Sequence, residues 1–495
     1  MLTRGRGAPL PAAVAEILRD DNKLRRSIRD IGQYALAQLD TGRDFITIHT
    51  LVRAVLRDGL PAQECEEAER NARDLLAFAN PLAPDRQDTW PHHAQVAPHV
   101  VASGVIMSHD PHVRRLVLDE IRYFYIIGDV SASQAMANWA ADYWKASLGT
   151  DDEMTLLANF HLANALRSSG NYEQARQLNQ STLARLVATA GEEDEYTLKV
   201  ANSVGADLRL RGEFQQACAL DERNLELTRR ALGEDDPATL RSANNLAVDF
   251  QLLGDFTRAR VLDEDTLRRR LDILGEDSVE VLSSLNNLVR DIFGIGEYDK
   301  ALKLQLERLP AFERKLPKNH SFLLSARRNL AILWRKTGNY AWALHQAEIN
   351  LQVARGRFGP LRESRLAAMM TLFNTLRVHG DVARAERLGE ETLVAYRKQF
   401  GREHPFSLAC AVNLAIVYRA LGQLGEAAEL DDEACLALTK KLGENHPYTM
   451  SCVANRSNDL AAGGRPEEAR ALSEQIQALA TGSAARPSLH ARLRR

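Results

Sequence analysis

Long apolar segments are absent from this 495-residue sequence. The longest candidate, near Val96–Met107, is interrupted by Pro98 and Gly104, and a membrane-spanning helix needs about 18 or more consecutive apolar residues. The apolar stretch near the amino terminus is cut by Asp20 and Asp21, which does not match the apolar region of a secretory signal peptide. We therefore expect neither a transmembrane helix nor a signal peptide.

A charge excess of one sign is also lacking, since 63 Lys and Arg face 66 Asp and Glu. The formal net charge of −3 excludes a globally basic nucleic-acid binder and an acidic disordered chain, so nucleic acid is an unlikely partner. Cysteine is scarce and odd in number, and no Cys-x-x-Cys pair occurs. We expect no disulfide framework and no zinc knuckle, and we interpret the protein as cytoplasmic. The cysteines are Cys65, Cys218, Cys410, Cys435 and Cys452.

Catalytic motifs are missing as well. No Gly-Lys dipeptide occurs, which excludes a phosphate-binding loop of the form G-x-x-x-x-G-K-[ST], and there is no H-E-x-x-H or G-x-S-x-G. His92, His93 and His99 cluster beside prolines without regular ligand spacing, and we interpret them as solvated loop residues. We predict no catalytic residue, cofactor or metal. Three histidines recur between repeats, where we expect turn or helix-cap roles: His320, His404 and His446.

A repeat of 42 residues dominates what is present. A glycine recurs in that period, and a small residue, usually alanine, follows five positions later. A second glycine series marks the other end of the unit. Self-similarity at a fixed period is the sequence signature of stacked repeat proteins. The first series is Gly128, Gly170, Gly212, Gly254, Gly296, Gly338, Gly380, Gly422 and Gly464.

One unit, 236–274, shows the physics of the repeat. Apolar residues from Leu240 to Phe250 follow a helical period, and Gly254 occupies the position where a left-handed helix cap favours glycine. A second helical pattern begins after Asp255, with Ala259 as a small slot for close packing. The apolar faces exceed what one helical hairpin covers, so neighbouring hairpins must bury them. The pattern predicts an all-α solenoid.

The residues from Asn245 to Ala259 resemble the tetratricopeptide signature, and the 42-residue period with the Gly443–Pro447 linker resembles its kinesin-light-chain subtype. The resemblance implies a right-handed α-solenoid of tetratricopeptide hairpins. We expect a degenerate first hairpin at 112–147, eight repeats at 148–480 and a basic disordered tail at 481–495.

Residues before the repeats lack the glycine register. We predict a helix at Leu24–Leu39, a short strand at Phe45–His49, and helices at Leu51–Arg57 and Ala62–Phe78. We divide this part into a disordered or partly helical start (1–23), a winged-helix-like segment (24–60) and a helical spacer and linker (61–111).

The strings Tyr34–Asp40 and Ile46–Asp58, followed by Thr89–Pro91 and Val113–Leu118, resemble the winged-helix end of NB-ARC-type signalling ATPases. The whole order resembles the carboxy-terminal part of actinobacterial NB-ARC/tetratricopeptide proteins, in particular the tetratricopeptide protein of the FxSxx-COOH peptide-modification system. Relatives of that kind carry a P-loop upstream, which this sequence lacks. A nucleotide switch would have to come from another chain.

Asparagine recurs in the first helix of the repeats, one residue before the hairpin leucine. In tetratricopeptide folds the first helices line the concave groove, so the resemblance implies that these amides hold the backbone of a peptide. Alternatively, the asparagines bond neighbouring helices and the aspartates form solvated or internally paired faces. The candidate peptide-binding residues are Lys199, Asn202, Arg241, Asn244, Asn245, Asp249, Asn286, Asn287, Asp291, Arg328, Asn329 and Asn413.

These observations predict a non-enzymatic scaffold that binds a protein or peptide in its concave groove. The FxSxx-COOH resemblance implies a ribosomal precursor peptide or its maturation enzyme as the partner. The alternative is the regulatory sensor arm of an NB-ARC-type ATPase whose nucleotide-binding part is supplied by another chain.

Overall fold

The structure, a computed structural model, describes residues 2–33, 37–40, 45–276 and 278–482. The chain divides into two compact units, Met1–Leu166 and Arg167–Arg495. Within the described residues no helix combines the length and apolar character needed to cross a membrane.

The first unit is mainly helical and contains one short antiparallel hairpin. Strands β1 (Ala37–Asp40) and β2 (Phe45–Ile48) pair so that Ala37 lies opposite Ile48. Its helices are α1 (Ala12–Arg19), α2 (Asp21–Gln33), α3 (Thr50–Asp58), α4 (Ala62–Phe78), α5 (Trp90–Ala102), α6 (Pro111–Ile127), α7 (Val130–Leu148) and most of α8 (Glu153–Ser169).

Two expectations for this unit need correction. The helix predicted at Leu24–Leu39 is found as α2, which ends at Gln33. Residues 34–36 of that prediction lie outside the described residues, and its last residues belong to β1, whose backbone groups bond to β2. The predicted solvated loop around His93 is instead helix α5. His93 is fully buried, with Nδ1 2.7 Å from Glu120 Oε1 and Nε2 3.2 Å from the Leu82 carbonyl oxygen. Burial raises the pKa of Glu120, and the imidazole opposes that rise.

The second unit is a stack of helical hairpins, in agreement with the predicted fold class. Its helices are α9 (Tyr172–Thr189), α10 (Glu195–Arg211), α11 (Phe214–Leu232), α12 (Pro237–Leu253), α13 (Phe256–Leu274), α14 (Val279–Ile295), α15 (Tyr298–Lys315), α16 (Ser321–Lys336), α17 (Tyr340–Arg357), α18 (Glu363–His379), α19 (Val382–Phe400), α20 (Pro405–Ala420), α21 (Leu424–Leu442), α22 (Pro447–Ala462) and α23 (Pro466–Gly482). Helix α9 packs on α10, and the helices from α10 to α23 form seven consecutive pairs.

The hairpin of α12 and α13 shows why the sequence folds in this way. Asp236 caps α12 by accepting a hydrogen bond from the Ala238 amide at 2.7 Å. Gly254 ends the helix in the left-handed region at φ 81°, which glycine adopts without steric cost. Ala259 is completely buried, so its small side chain allows α13 to pack closely on α12. Each hairpin then buries its remaining apolar face against the next.

The linker histidines are helix caps, as predicted. Nδ1 of His320, His404 and His446 each accepts a hydrogen bond from the backbone amide two residues later, at 3.1–3.2 Å. The cysteines differ in part from expectation. Cys218 and Cys410 are buried free thiols in the repeat core, but Cys435 and Cys452 form a disulfide between α21 and α22. Their 17-residue separation matches no Cys-x-x-Cys pattern, and only the packing of the two helices brings them together.

Candidate functional site

Early and late repeats of the second unit contact each other and close the inner face of the solenoid. The imidazole Nε2 of His404 donates to the Leu210 carbonyl oxygen at 2.9 Å, and that of His446 donates to the Leu252 carbonyl oxygen at 2.7 Å. Both bonds span 194 residues, about 4.6 repeats of 42 residues. We call this contact the seam.

Apolar packing accompanies the seam. Tyr172 stacks on Phe400 with ring centroids 5.5 Å apart. Phe214 is fully buried in one cluster with Leu408 and Val412. The predicted concave groove is therefore narrowed at the seam, because the curvature of the hairpin stack brings its turns into contact.

The helices next to the seam enclose a cavity of about 360 Å³. We call it the inner cavity. Its apolar wall includes Phe293, Met370 and Phe406, and its polar groups come from several first helices. A mostly apolar concavity with a few polar groups is the usual form of a ligand site. The polar lining consists of Gln251, Arg290, Arg328, Asn329, Glu363, Thr371, Tyr396, His446 and Tyr448.

Two arginines give the inner cavity its electrostatic character. Burial and the like charge of Arg328 lower the pKa of Arg290. Over the described part of the chain, neither guanidinium makes a hydrogen bond or an ion pair with a protein group. Tyr396 is buried, and its pKa lies well above its usual value because water is excluded. The wall thus presents two positive groups and one carboxyl group, that of Glu363, to whatever enters.

Two of the predicted residues line this cavity. Arg328 takes the position that Asn202, Asn244 and Asn286 hold in earlier repeats, and Asn329 follows it. Asn329 is 6% exposed, and its amide donates to the Asn286 carbonyl oxygen at 3.3 Å. Asn329 also lines the inner cavity, so it combines a structural bond with access to the cavity.

The other asparagines lie mainly between neighbouring helices. Asn202 donates to Ser242 Oγ at 3.0 Å and accepts from the Asn245 amide at 3.0 Å. Asn244 donates to Asp263 Oδ1 at 2.6 Å and accepts from Arg270 at 3.3 Å. Burial corrects the groove placement predicted for Asn202 and Asn244, because both are 8% exposed and bonded within the stack.

The same correction applies to Asn286, whose amide donates to the Phe322 carbonyl oxygen at 3.0 Å in the next first helix. Asn413 is half-buried and donates to the Ala409 carbonyl oxygen at 2.7 Å, one turn earlier in its own helix. Asn287 is half-buried, and its carbonyl oxygen accepts from Gln251 at 3.3 Å. The bonds of Asn286 and Asn287, which join successive first helices, fix the stagger of those helices.

Asp249 and Asp291 are fully buried and bonded within the chain, which favours the internally paired alternative over a ligand-facing or solvated placement. Asp249 accepts from Arg209 at 3.0 Å, and Asp291 accepts from Gln251 at 2.6 Å. Burial raises the pKa of both carboxyl groups, and a second aspartate beside each raises it further.

The two remaining predicted residues lie near the amino-terminal ends of α10 and α12. Lys199 is half-buried, pairs with Glu195 at 2.5 Å and lies over the Tyr196 ring. Arg241 is exposed. Neither lines the inner cavity.

Sequence reasoning missed the other charged residues of the inner cavity. Arg290 occupies a register position that holds Val248 and Ile332 in the adjoining repeats, so a charged residue at an apolar position was the available signal. Glu363 gave no comparable signal, because glutamate also begins the first helix at Glu153 and Glu195, and the position of Tyr396 holds apolar, polar and charged residues in other repeats.

Comparison with known proteins identifies the repeats. One family model described as tetratricopeptide repeat matches residues 196–272 and 364–435, and a second matches 161–195. The hairpins within these residues therefore match tetratricopeptide repeats. No curated protein matches the chain.

Among the solved structures that are similar to this chain, a Rap protein shares its fold. A kinesin light chain from Podosopora anserina with nearly identical TPR-like repeats is 27% identical over 40% of this chain and 94% of that one, with a TM-score of 0.33. BtubC (BKLC) from P. vanneervenii is 19% identical over 47% of this chain and 91% of that one, with a TM-score of 0.35. A Rap protein complexed with the competence and sporulation factor is 10% identical over 75% of this chain and 99% of that one, with a TM-score of 0.55.

Proposed function

We propose that this protein is a non-enzymatic interaction scaffold that captures a peptide segment of a partner protein in the inner cavity. Tetratricopeptide repeats are generally protein-interaction modules. The observation that carries the proposal is the pair Arg290 and Arg328, which face the inner cavity without a bonded partner among the residues described. A buried guanidinium without a partner is costly, and a ligand that supplies acceptors offsets that cost.

The volume of the inner cavity limits what it accepts. About 360 Å³ lies near the lower end of ligand sites, so one or two side chains of a peptide enter rather than a long segment. Arg290 and Arg328 would receive a peptide carbonyl or carboxylate oxygen. Glu363 would receive an amide or ammonium group, and the Asn329 amide would bond the peptide backbone. Phe293 and Met370 supply apolar contact.

The related fold of the Rap protein supports this proposal, since that protein is complexed with the competence and sporulation factor. From the resemblance to the FxSxx-COOH system we further propose that the partner is a ribosomal precursor peptide, or its maturation enzyme, in the cytoplasm. The order α2, β1, β2, α3 favours a second candidate, a winged-helix-like arm that contacts an NB-ARC-type ATPase supplied by another chain.

Selection of peptides tests the leading proposal. A random heptapeptide library is panned against the full chain, and the enriched peptides are titrated calorimetrically against the wild type and two cavity variants. Arg290→Gln with Arg328→Gln removes the charges, and Ala409→Phe fills the cavity while retaining them. We expect each to weaken peptide binding at least tenfold. The arginine variant loses charge-assisted hydrogen bonds, each of which contributes about 1.5–3 kcal/mol, and the phenylalanine ring occupies the volume that the peptide needs.

The matched control is Ala219→Phe, which adds the same ring at an exposed position on α11. It should bind like the wild type. Enriched peptides that bind all four proteins equally, with unchanged helical circular dichroism, would show that the inner cavity is not the site.

A further inference from the structure

A buried polar cluster recurs at the junctions between repeats. In the clearest case the Arg209 guanidinium, three residues before the turn glycine, donates to Asp221 Oδ2 at 2.6 Å and to Asp249 Oδ1 at 3.0 Å. Asp221 comes from the second helix of the same hairpin, 12 residues later, and Asp249 comes from the next first helix, 40 residues later. We call this arrangement the junction triad.

Other junctions preserve the same geometry. Arg167 donates to Asp207 Oδ1 at 3.0 Å, again 40 residues later. Arg419 donates to Asp459, with the same separation. Where glutamine replaces arginine, Gln251 still donates to Asp291 at 2.6 Å. At these four junctions the long polar side chain is therefore bonded to a carboxylate of its own chain.

Two adjacent junctions keep the arginine and lose both carboxylates. Around Arg335, on α16, the two aspartate positions of the triad hold Ala347 and Thr375. Around Arg377, on α18, they hold Gly389 and Val417. None of the four replacements carries a carboxylate, and the one hydroxyl among them, that of Thr375, donates to the Thr371 carbonyl oxygen at 2.7 Å.

Both guanidiniums are left without an internal partner. Neither forms a hydrogen bond or ion pair in the described ranges, and the Nε–H group of each is buried and unbonded. Burial, together with the charge of Arg377, lowers the pKa of Arg335 to about 10. Burial and the charge of Arg419 likewise lower the pKa of Arg377. Two like charges thus lie near each other, half-buried, on first helices that pack together.

We propose that Arg335 and Arg377 form a binding site for the carboxylates of an acidic segment of a partner protein, which completes the two unfinished junction triads. The chain itself shows which ligand fits, since the four junctions described above fill the same position with a carboxylate, at 2.6–3.0 Å in three of them. A planar guanidinium is also well matched to a carboxylate. The inference rests on the proposed scaffold function and adds a second site, outside the lining of the inner cavity.

Charge of the opposite sign does not compete for this site. The groups that influence Arg335 and Arg377 electrostatically are Arg377, Arg419 and Tyr340, and no carboxylate is among them. No carboxylate among these groups therefore offsets the attraction of the two arginines for an acidic segment, and this attraction should weaken as ionic strength rises.

Titration of the full chain with fluorescent hexaglutamate tests the site, with hexaglutamine and inorganic phosphate as alternative ligands. We expect hexaglutamate to bind, hexaglutamine to be silent, and the double variant Arg335→Gln, Arg377→Gln to weaken binding at least tenfold. The charge-matched control is Arg355→Gln with Arg387→Gln, two exposed arginines on the second helices of the same repeats. It should change binding less than twofold.

A gain-of-pair variant provides the reciprocal test. Thr375→Asp places a carboxylate where the intact triads carry theirs, so Arg335 becomes bonded internally and hexaglutamate binding should fall. If Arg335 and Arg377 were purely structural, their replacement by glutamine would lower the melting temperature, whereas we expect no decrease. The glutamine variant remains decisive if the aspartate variant does not fold.

Three results would overturn the proposal. The first is a loss of hexaglutamate binding in the exposed-arginine control equal to that in the Arg335→Gln, Arg377→Gln variant. The second is binding of phosphate but not of hexaglutamate. The third is absence of hexaglutamate binding while the binding of library peptides is still weakened by Ala409→Phe. The last result would leave the scaffold function intact. If hexaglutamate instead binds through Arg335 and Arg377 while library peptides ignore Ala409→Phe, only the inner-cavity assignment fails.

Discussion

His446 joins two parts of the chain with one imidazole ring. Its Nδ1 accepts from the Tyr448 amide at 3.1 Å and caps α22, while its Nε2 donates to the Leu252 carbonyl oxygen at 2.7 Å. His404 does the same with Phe406 and Leu210, at 3.1 Å and 2.9 Å. Because Nδ1 must accept, the proton lies on Nε2, and each ring is neutral. Burial accordingly lowers the pKa of His404 to about 4.

Replacing both seam histidines by asparagine separates the two roles. Asparagine is a favourable helix cap, but it is too short to reach the carbonyl oxygen across the seam. We expect the double variant His404→Asn, His446→Asn to keep α20 and α22 folded. The free energy that holds the seam together should fall by about 1–2 kcal/mol, because two hydrogen bonds are lost. Hydrogen exchange of the turn amides at 208–214 and 250–256 should accelerate at least fivefold.

The control for this prediction is His320→Asn. His320 caps α16 through the same Nδ1 bond, and its other ring nitrogen has no bonded partner within the described ranges. Exchange at both turns should stay at the wild-type rate. Acceleration of similar size in the control would show that helix capping, and not the seam, governs these turns.

The local unit was predictable because its signals repeat. Gly254, Ala259 and the capping His446 each perform a local task that spacing reveals. The partner of His446 across the seam was not predictable, since it lies 194 residues away and depends on curvature accumulated over several hairpins. The asparagine positions were misplaced for a related reason: a polar residue recurring beside a leucine indicates a polar contact but not whether a ligand or the next helix provides it.

Acidic pairs between repeats make stability depend on pH. Asp263 and Asp291 are both fully buried. One carboxyl oxygen of each is bonded, to Asn244 and to Gln251, and the two side chains lie within hydrogen-bonding reach of each other. Burial raises the pKa of both well above the usual value, and their mutual repulsion raises that of Asp291 further. The pair therefore retains protons that the unfolded chain has already released.

Since the folded state binds more protons, the free energy of unfolding falls as pH rises through the raised pKa of the pair. We expect Asp291→Asn to reduce this fall by about 1–3 kcal/mol, because an amide can donate to the remaining carboxylate. Urea unfolding at pH 6.5 and pH 9 measures the effect. This window avoids His404, whose lowered pKa removes stability only as pH falls below about 6.5.

Asp272→Asn is the comparison for this prediction, since it removes an exposed carboxylate from α13, the helix that carries Asp263. Its pH dependence should match that of the wild type. If both variants reduce the pH dependence of the free energy of unfolding equally, the general loss of negative charge is responsible and the buried pair is not.

The adjacent residues Asn244 and Asn245 offer a final test of which amides hold the stack together. Asn244 is 8% exposed and bonds both Asp263 and Arg270 in the next second helix. Asn245 is half-buried and bonds only Asn202 among the described residues. Asn244→Ala leaves the buried acceptor of Asp263 and the buried donor of Arg270 without this partner. We therefore expect the free energy of unfolding to fall by about 2–3 kcal/mol, compared with less than about 1 kcal/mol for Asn245→Ala.

Urea midpoints of the two alanine variants measure this difference, because they share helix, residue type and deleted atoms. A larger loss at Asn245 would mean that the half-buried amide orders the helices and that Asn244 is dispensable. Binding of library peptides should be unchanged in both, since neither residue lines the inner cavity. A binding defect in Asn245→Ala at unchanged stability would instead return that amide to the ligand-contacting surface, as the asparagine pattern first indicated.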